Sequence, residues 1–368
     1  MKVKNSHQKY RTYAYRLLGL VFLLTSLSEQ AEAQILQPDS LMQKVEELGS
    51  AILDKEQDTS YIKNFSQDLT LKLIGVNKIN YFTVKDREQN SSIRYRPDRR
   101  LNLGIGVAYK WFALDLAFNV GIAENTGFLN SNLLDFQGTI FNNKQYISAV
   151  YQYYYGYQHS DMSGVSSRVF PASKVRDDIR SVFVGLDYTF AFNYDKFSLK
   201  APFIQNEMQK KSAGSVLAGF SFYMFNMVSD SSVISNEIAS NFNKNLHLTD
   251  VNSTSMAVNI GYMYTLVWKE HFFVTLSLIP SLGLNMGDYK TDFRQPYPTH
   301  LFLGLSTINS IGYNADKLFG GIQFATDSYD TRIEKKQKVV SGHGKIKLYF
   351  GYRFKYKKTN KNSKGNSR

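Results

Sequence analysis

The sequence predicts an all-β protein: a closed antiparallel transmembrane β-barrel of about twelve strands, with fourteen as the alternative, behind a short helical lead-in. Three observations predict it. Long segments alternate apolar with polar or small side chains at a period of two. Aromatics make up 14% of residues, 25 Tyr and 26 Phe against 2 Trp, which suits strands and lipid–water interfaces better than a helical core. The last alternating stretch, Lys345 to Phe354 (K-I-K-L-Y-F-G-Y-R-F), puts Ile346, Leu348, Phe350, Tyr352 and Phe354 on one face and Lys345, Lys347 and Arg353 on the other. Such a strand is greasy outside and charged inside.

The amino end decides the compartment. Met1 to Arg16 holds five Lys and Arg without an acid, Leu17 to Leu27 is an apolar run, and Ala31-Glu32-Ala33 offers small residues to a signal peptidase. Residues 1–33 are therefore expected to be a cleaved export signal, since the run is short for a membrane-spanning helix. The chain has no Cys, which excludes disulfides and a lipidated cysteine anchor. Residues 34–66 form the periplasmic lead-in, partly helical, with Leu41, Val45, Leu48 and Ile52 at helical spacing. The barrel is expected over 67–354 and a basic, disordered tail over 355–368. The formal net charge of +13 comes mostly from the ends: +3 sits in the signal, +6 in the tail and +4 in residues 34–354. Nucleic acid is accordingly not an expected partner.

Within the barrel region Leu101 to Lys110, Val182 to Phe192 and Thr254 to Trp268 all alternate, over lengths of about 10–15 residues where soluble strands average five or six. Their polar faces are small and Gly-rich, as the interior of a modest barrel requires. Thirteen segments read as strands, including 91–110 and 196–205. A barrel with both termini on one side needs an even number. The rhythm falters over Leu69 to Pro97 and over 205–253. Tight turns at Asn142 to Lys144, Asn193 to Lys196, Trp268 to His271 and Asn314 to Lys317 alternate with longer loops at 120–132, 158–178, 227–253, 287–299 and 328–342. Short turns on one side and long loops on the other point to the outer membrane, with Tyr352 and Phe354 in the periplasmic girdle.

Several stretches carry a resemblance: D-T-S-Y-I (Asp58 to Ile62), Y-R-P-D (Tyr95 to Asp98), L-G-I-G-V-A-Y-K (Leu103 to Lys110), Q-K-K-S-A-G-S (Gln209 to Ser215), G-Y-N (Gly312 to Asn314) and G-Y-R-F (Gly351 to Phe354). In order along the chain, they resemble a family of outer-membrane β-barrels from Bacteroidetes-type bacteria that is known only as a domain of unknown function. The resemblance implies a barrel and an address. It brings no activity or catalytic residues.

Chemistry is sparse. The charged residues expected to face the lumen are Lys72, Lys110, Asp115, Asp135, Asp187, Lys200, Asp327, Lys345, Lys347 and Arg353, because a charge at membrane depth must face water or a partner. Two readings stay open: a network of ion pairs that plugs a narrow barrel, or a channel or ligand-binding lumen for small polar solutes. A rim hydrolase acting on envelope lipid would use Ser341 and His343, two apart on one strand; it would need a base within hydrogen-bond reach of the nucleophile. No metal-ligand spacing and no cofactor motif occurs. The expected partners are outer-membrane lipid, lipopolysaccharide and the barrel-assembly machinery.

Overall fold

Side-chain alternation rolls this chain into a tube. The structure is a computed structural model that describes residues 57–97, 100–109, 112–123, 133–165 and 175–355. The expected signal, the lead-in before residue 57, Lys110 and the tail beyond Lys355 lie outside the described residues. In chain order the elements are β1 (Ile62–Asn64), β2 (Leu69–Asp86), β3 (Ser91–Arg96), β4 (Arg100–Tyr109), β5 (Phe112–Ala123), β6 (Leu133–Phe141), β7 (Gln145–Ser163) and β8 (Val175–Ala191). There follow a one-turn helix α1 (Lys200–Phe203), β9 (Glu207–Gln209), β10 (Ala213–Val228), and the 3-10 turns Asn236–Asn241 and Lys244–Leu246. Five long strands end the fold: β11 (Asp250–Trp268), β12 (Phe272–Lys290), β13 (Arg294–Asn314), β14 (Leu318–Glu334) and β15 (Gln337–Phe354).

Ten strands, β2, β3, β7, β8 and β10 to β15, form a closed antiparallel ring, sealed where β15 pairs with β2 from Gln337↔Asp86 to Phe354↔Leu69. The expected twelve or fourteen are corrected by this ring. The reason lies at Pro97. β3 and β4 are two pieces of one descending strand, both laddered to β2, with Phe82↔Tyr95 above and Thr70↔Ala108 below. Proline has no N–H to give a ladder, and β3 stops just before it. Above the break β3 pairs directly with β7. Below it, β4 carries β5 and β7 carries β6, and among the described residues no ladder joins β5 to β6. β4, β5 and β6 thus hang from the ring in its lower half, the half that holds Leu69 and Phe354.

Two more expectations change. The segment 196–205 is no wall strand; it contains Pro202, which a central strand does not tolerate, and it folds inward as α1. The loops expected at 287–299 and 328–342 are largely strand, since β12 to β15 run on to leave only residues 291–293 and 335–336 as connections.

The turns at the lower rim are built from local chemistry. Asn142 Oδ1 accepts the amides of Lys144 at 2.8 Å and Gln145 at 2.9 Å, closing the β6–β7 turn. In the three-residue β11–β12 turn, Lys269 and Glu270 both adopt left-handed backbone, φ 48° and 63°. Outward positions are apolar and exposed, among them Leu73, Phe118, Leu276 and Leu303, with Trp268, Phe272, Tyr313 and Phe354 along the lower rim. On β15, Ile346, Leu348, Phe350 and Phe354 point out, while Lys347, Tyr349 and Arg353 are buried inside.

Candidate functional site

Among the described residues, the chain's own segments and side chains occupy the interior of the wall at both ends and in the middle. At the lower end two segments fold into it. Residues 57–68 bring in β1, which pairs with β9 (Ile62↔Gln209, Asn64↔Glu207), and residues 193–211 bring in α1. Ser198, Leu199, Ala201, Phe203, Asn206 and Met208 are all buried there. The wall holds this plug by its carbonyls. Gln323 Nε2 donates to Pro202 O at 2.6 Å and Phe203 O at 3.0 Å, and Asn314 Nδ2 to Glu207 O at 3.0 Å. Arg353 donates to Gln205 O at 3.0 and 2.5 Å, to Asn314 Oδ1 at 2.6 Å, and to Ala315 O. Its guanidinium lies between the rings of Phe65, 4.1 Å away, and Phe319, 4.6 Å away. Lys200 is on the plug rather than on the wall and pairs with Glu207 at 3.4 Å, while Glu207 also accepts from Ser198 Oγ at 2.5 Å. Outside, Lys63 of β1 holds Asp316 of the β13–β14 turn at 2.6 Å and keeps its carboxyl below the usual carboxylate range.

Side chains fill the middle. Asp115 of β5 reaches Lys72 at 2.9 Å and Lys347 at 3.1 Å. Gly106 makes room for this triad, since a methyl there would collide with both Asp115 and Lys72. Asp187 accepts from Ser221 Oγ at 2.6 Å and Tyr223 Oη at 2.5 Å, and Asn259 extends the chain to Ser221 at 2.7 Å. Asp327 sits 3.4 Å from His343 Nε2. Rings of Phe183, Tyr223, Tyr329 and His343 stack across the lumen, with Phe183–His343 at 4.5 Å and Tyr223–Tyr329 at 4.9 Å. Lys345 neighbours the triad on β15, and Asp135 stands opposite Gln152 in the β6–β7 ladder.

The upper end is capped by residues 229–249. Val233, Ile234, Ile238, Phe242, Leu246 and Leu248 are buried against Phe82, Val84, Ile93, Ile333 and Val339 of the wall. Tyr95 Oη donates to Val233 O, Arg176 to Ser232 O at 2.8 Å, and the amide of Asn243 to Asp86 Oδ2 at 2.8 Å. The cavity beside Pro202, lined by Ala201, Gln209, Thr265, His271, Phe273 and Asn314, has about 10 Å³, room for no more than one water. A hollow of about 300 Å³ lies at the upper rim among Asp230, Asp250, Lys290 and Asp292.

Ser341 and His343 lie buried beneath the cap rather than open at the rim. Ser341 Oγ has no hydrogen-bond partner among the described residues, so no base stands in reach of it. Among the described residues no cluster of His, Asp and Glu is arranged to hold a metal.

Residues 56–354 match the family described as Domain of unknown function (DUF4421). The chain belongs to this family. No curated protein matches the chain. Among solved structures the chain is similar to the outer membrane protease OmpT from Escherichia coli, at 8% identity, covering 79% of this chain and 98% of that one, with a TM-score of 0.37. It is also similar to the Pseudomonas putida toluene transporter TodX, at 8% identity, covering 83% of this chain and 100% of that one, with a TM-score of 0.25. Likenesses this loose carry no argument about what this DUF4421 barrel does.

Sequence reasoning missed the two closures. The signals were present: six apolar residues inside a loop expected to be polar, and a proline inside an expected strand.

Proposed function

We propose that this DUF4421 protein is an outer-membrane β-barrel sealed against solute flow, a structural body of the envelope rather than an open pore or an enzyme. Its exposed girdle of Leu, Ile and Phe would meet hydrocarbon, and the β15–β2 ladder closes the ring of ten strands, as a membrane requires of a β wall. Both described chain ends lie at the lower rim, which would face the periplasm. Lipid and lipopolysaccharide would surround it after insertion by the barrel-assembly machinery.

One observation carries the reading against a channel: the lumen is occupied at three levels, by the 193–211 plug, by the stacked middle layer and by the 229–249 cap. The test is reconstitution of the purified protein in planar bilayers. The expected outcome is a fully inserted protein with no discrete conductance steps. Steady ohmic steps from the unaltered protein would overturn it.

A further inference from the structure

The outer face of the wall carries a row of cations across four neighbouring strands. Arg332 of β14 pairs with Lys338 of β15, and Lys338 pairs with Lys85 of β2. On β3, Arg94 is one pleat along the same face, opposite Thr83. Their outward direction follows from their neighbours, since Phe82, Val84, Thr331, Ile333 and Val339 are buried inside. Like charges directly opposite in a ladder repel, so such a row needs an anion.

The chain supplies too few. Asp330 takes Lys338 at 2.7 Å, and Asp161 stands 3.6 Å from Arg94. Glu88 faces Lys336 at 3.7 Å at the strand tips, Glu334 accepts from Asn245, and Asp86 points inward to the cap. Neither Lys85 nor Arg332 has a carboxylate in ion-pair reach among the described residues. The charges of Lys338, Arg94 and Arg87 all act on Lys85, against Asp330, which is already engaged. Four cations thus face two acids.

Height identifies the anion. Lys85 stands sixteen residues above Leu69 on β2. At about 3.3 Å per residue and a tilt of roughly 40°, this is about 40 Å, above a hydrocarbon belt of about 25–30 Å. Beneath the row Arg94 covers the ring of Tyr81 at 4.8 Å, a pairing suited to the headgroup boundary. Arginine recognises phosphate by two parallel N–H donors.

The geometry points to a phosphate-binding site for an anionic lipid headgroup of the outward leaflet, formed by Lys85, Arg94, Arg332 and Lys338. It rests on the outer-membrane reading. The test uses the full mature chain purified in detergent, with diphosphoryl lipid A as probe and lipid retention read by native mass spectrometry. The protein is expected to retain lipid A in preference to phosphatidylcholine. Lys85→Ser with Arg332→Ser should lower that retention about tenfold or more, as loss of charge-assisted hydrogen bonds implies. Lys63→Ser with Lys211→Ser, at the opposite rim, should leave it unchanged. Heat-modifiable gel mobility shows whether each variant is folded, and Lys85→Arg, which keeps the charge, should retain lipid as the unaltered protein does. Equal retention by the folded double variant would overturn the site, and so would displacement of the lipid by millimolar inorganic phosphate. A chain that stays soluble without detergent would instead overturn the membrane reading, before any lipid is added.

Discussion

Arg353 is the largest fully buried side chain among the described residues, and no carboxylate lies in ion-pair reach of it. Its charge is spread instead over two backbone carbonyls, one amide oxygen and two ring faces. A planar fork can serve all of these at once, whereas an ammonium cannot. Arg353→Lys should therefore destabilise the plug by about 2–3 kcal/mol. The check is limited proteolysis, with faster cutting within 193–211 while the barrel keeps its heat-modifiable mobility. Unchanged cutting would mean that other contacts hold the plug. The pair Lys63–Asp316 works more weakly. Asp316 is held below its usual pKa of 3.8, so its contribution is present above 3.8 and is lost as pH falls through the lower folded value. For an exposed pair that is at most about 0.5 kcal/mol. Protection of β1 amides from hydrogen exchange should drop only below pH 3.8, and Asp316→Asn should abolish that drop. Alternation alone placed Arg353 on the inner face. Its partner Gln205 is 148 residues away in the chain, which no local pattern reveals.

The strands were legible because each repeats one physical rule over many residues, as in β15, where Ile346 to Phe354 alternate outside against inside. The elements that close the lumen do not follow this rule. The cap holds two 3-10 turns that carry only Ile238 and Leu246 of its six buried apolar side chains, and the every-fourth spacing of Ile234, Ile238, Phe242 and Leu246 does not become a regular helix. In the plug, Gln205 takes φ 61°, a left-handed turn that sequence gives little warning of outside glycine. Side-chain packing and a few hydrogen bonds, rather than a strand ladder, hold the cap to the wall, so it should open independently of the wall. Phe242→Ala should cost the cap about 3–5 kcal/mol, and Ile238→Ala about 2–5 kcal/mol. Hydrogen exchange over 229–249 should accelerate while protection in β11 and β12 stays as it was. Equal loss of protection in cap and wall would show that the two fold as one unit. Bilayers holding Phe242→Ala should still show no conductance, because the stacked middle layer and the plug remain.

At the scale of the whole barrel the ring has ten members, while β5 and β6 occupy only the lower half. A ten-strand wall is narrow enough for its own side chains and two short segments to fill. β5 nevertheless supplies Asp115, the one carboxylate bonded to both Lys72 and Lys347, and Lys72 is almost wholly buried. Those two functions of β5, wall and counter-charge, can be separated. Both β3 and β4 pair with β2, and β3 already pairs with β7, so with residues 112–141 replaced by a two-residue Asn-Gly turn β4 could follow β3 onto the free edge of β7. The ring would then close at ten from rim to rim. The shortened chain leaves Lys72 and Lys347 without Asp115, and stranding buried charge in this way costs about 3–5 kcal/mol. Lys72→Met together with Lys347→Met should restore most of that stability in the shortened chain. In the full-length chain the same pair of changes strands Asp115 and should destabilise. The measurement is the temperature at which heat-modifiable mobility is lost, compared across the four proteins. If the shortened chain fails to fold with both lysines replaced, β5 and β6 belong to the closure itself, and ten is not a self-sufficient ring.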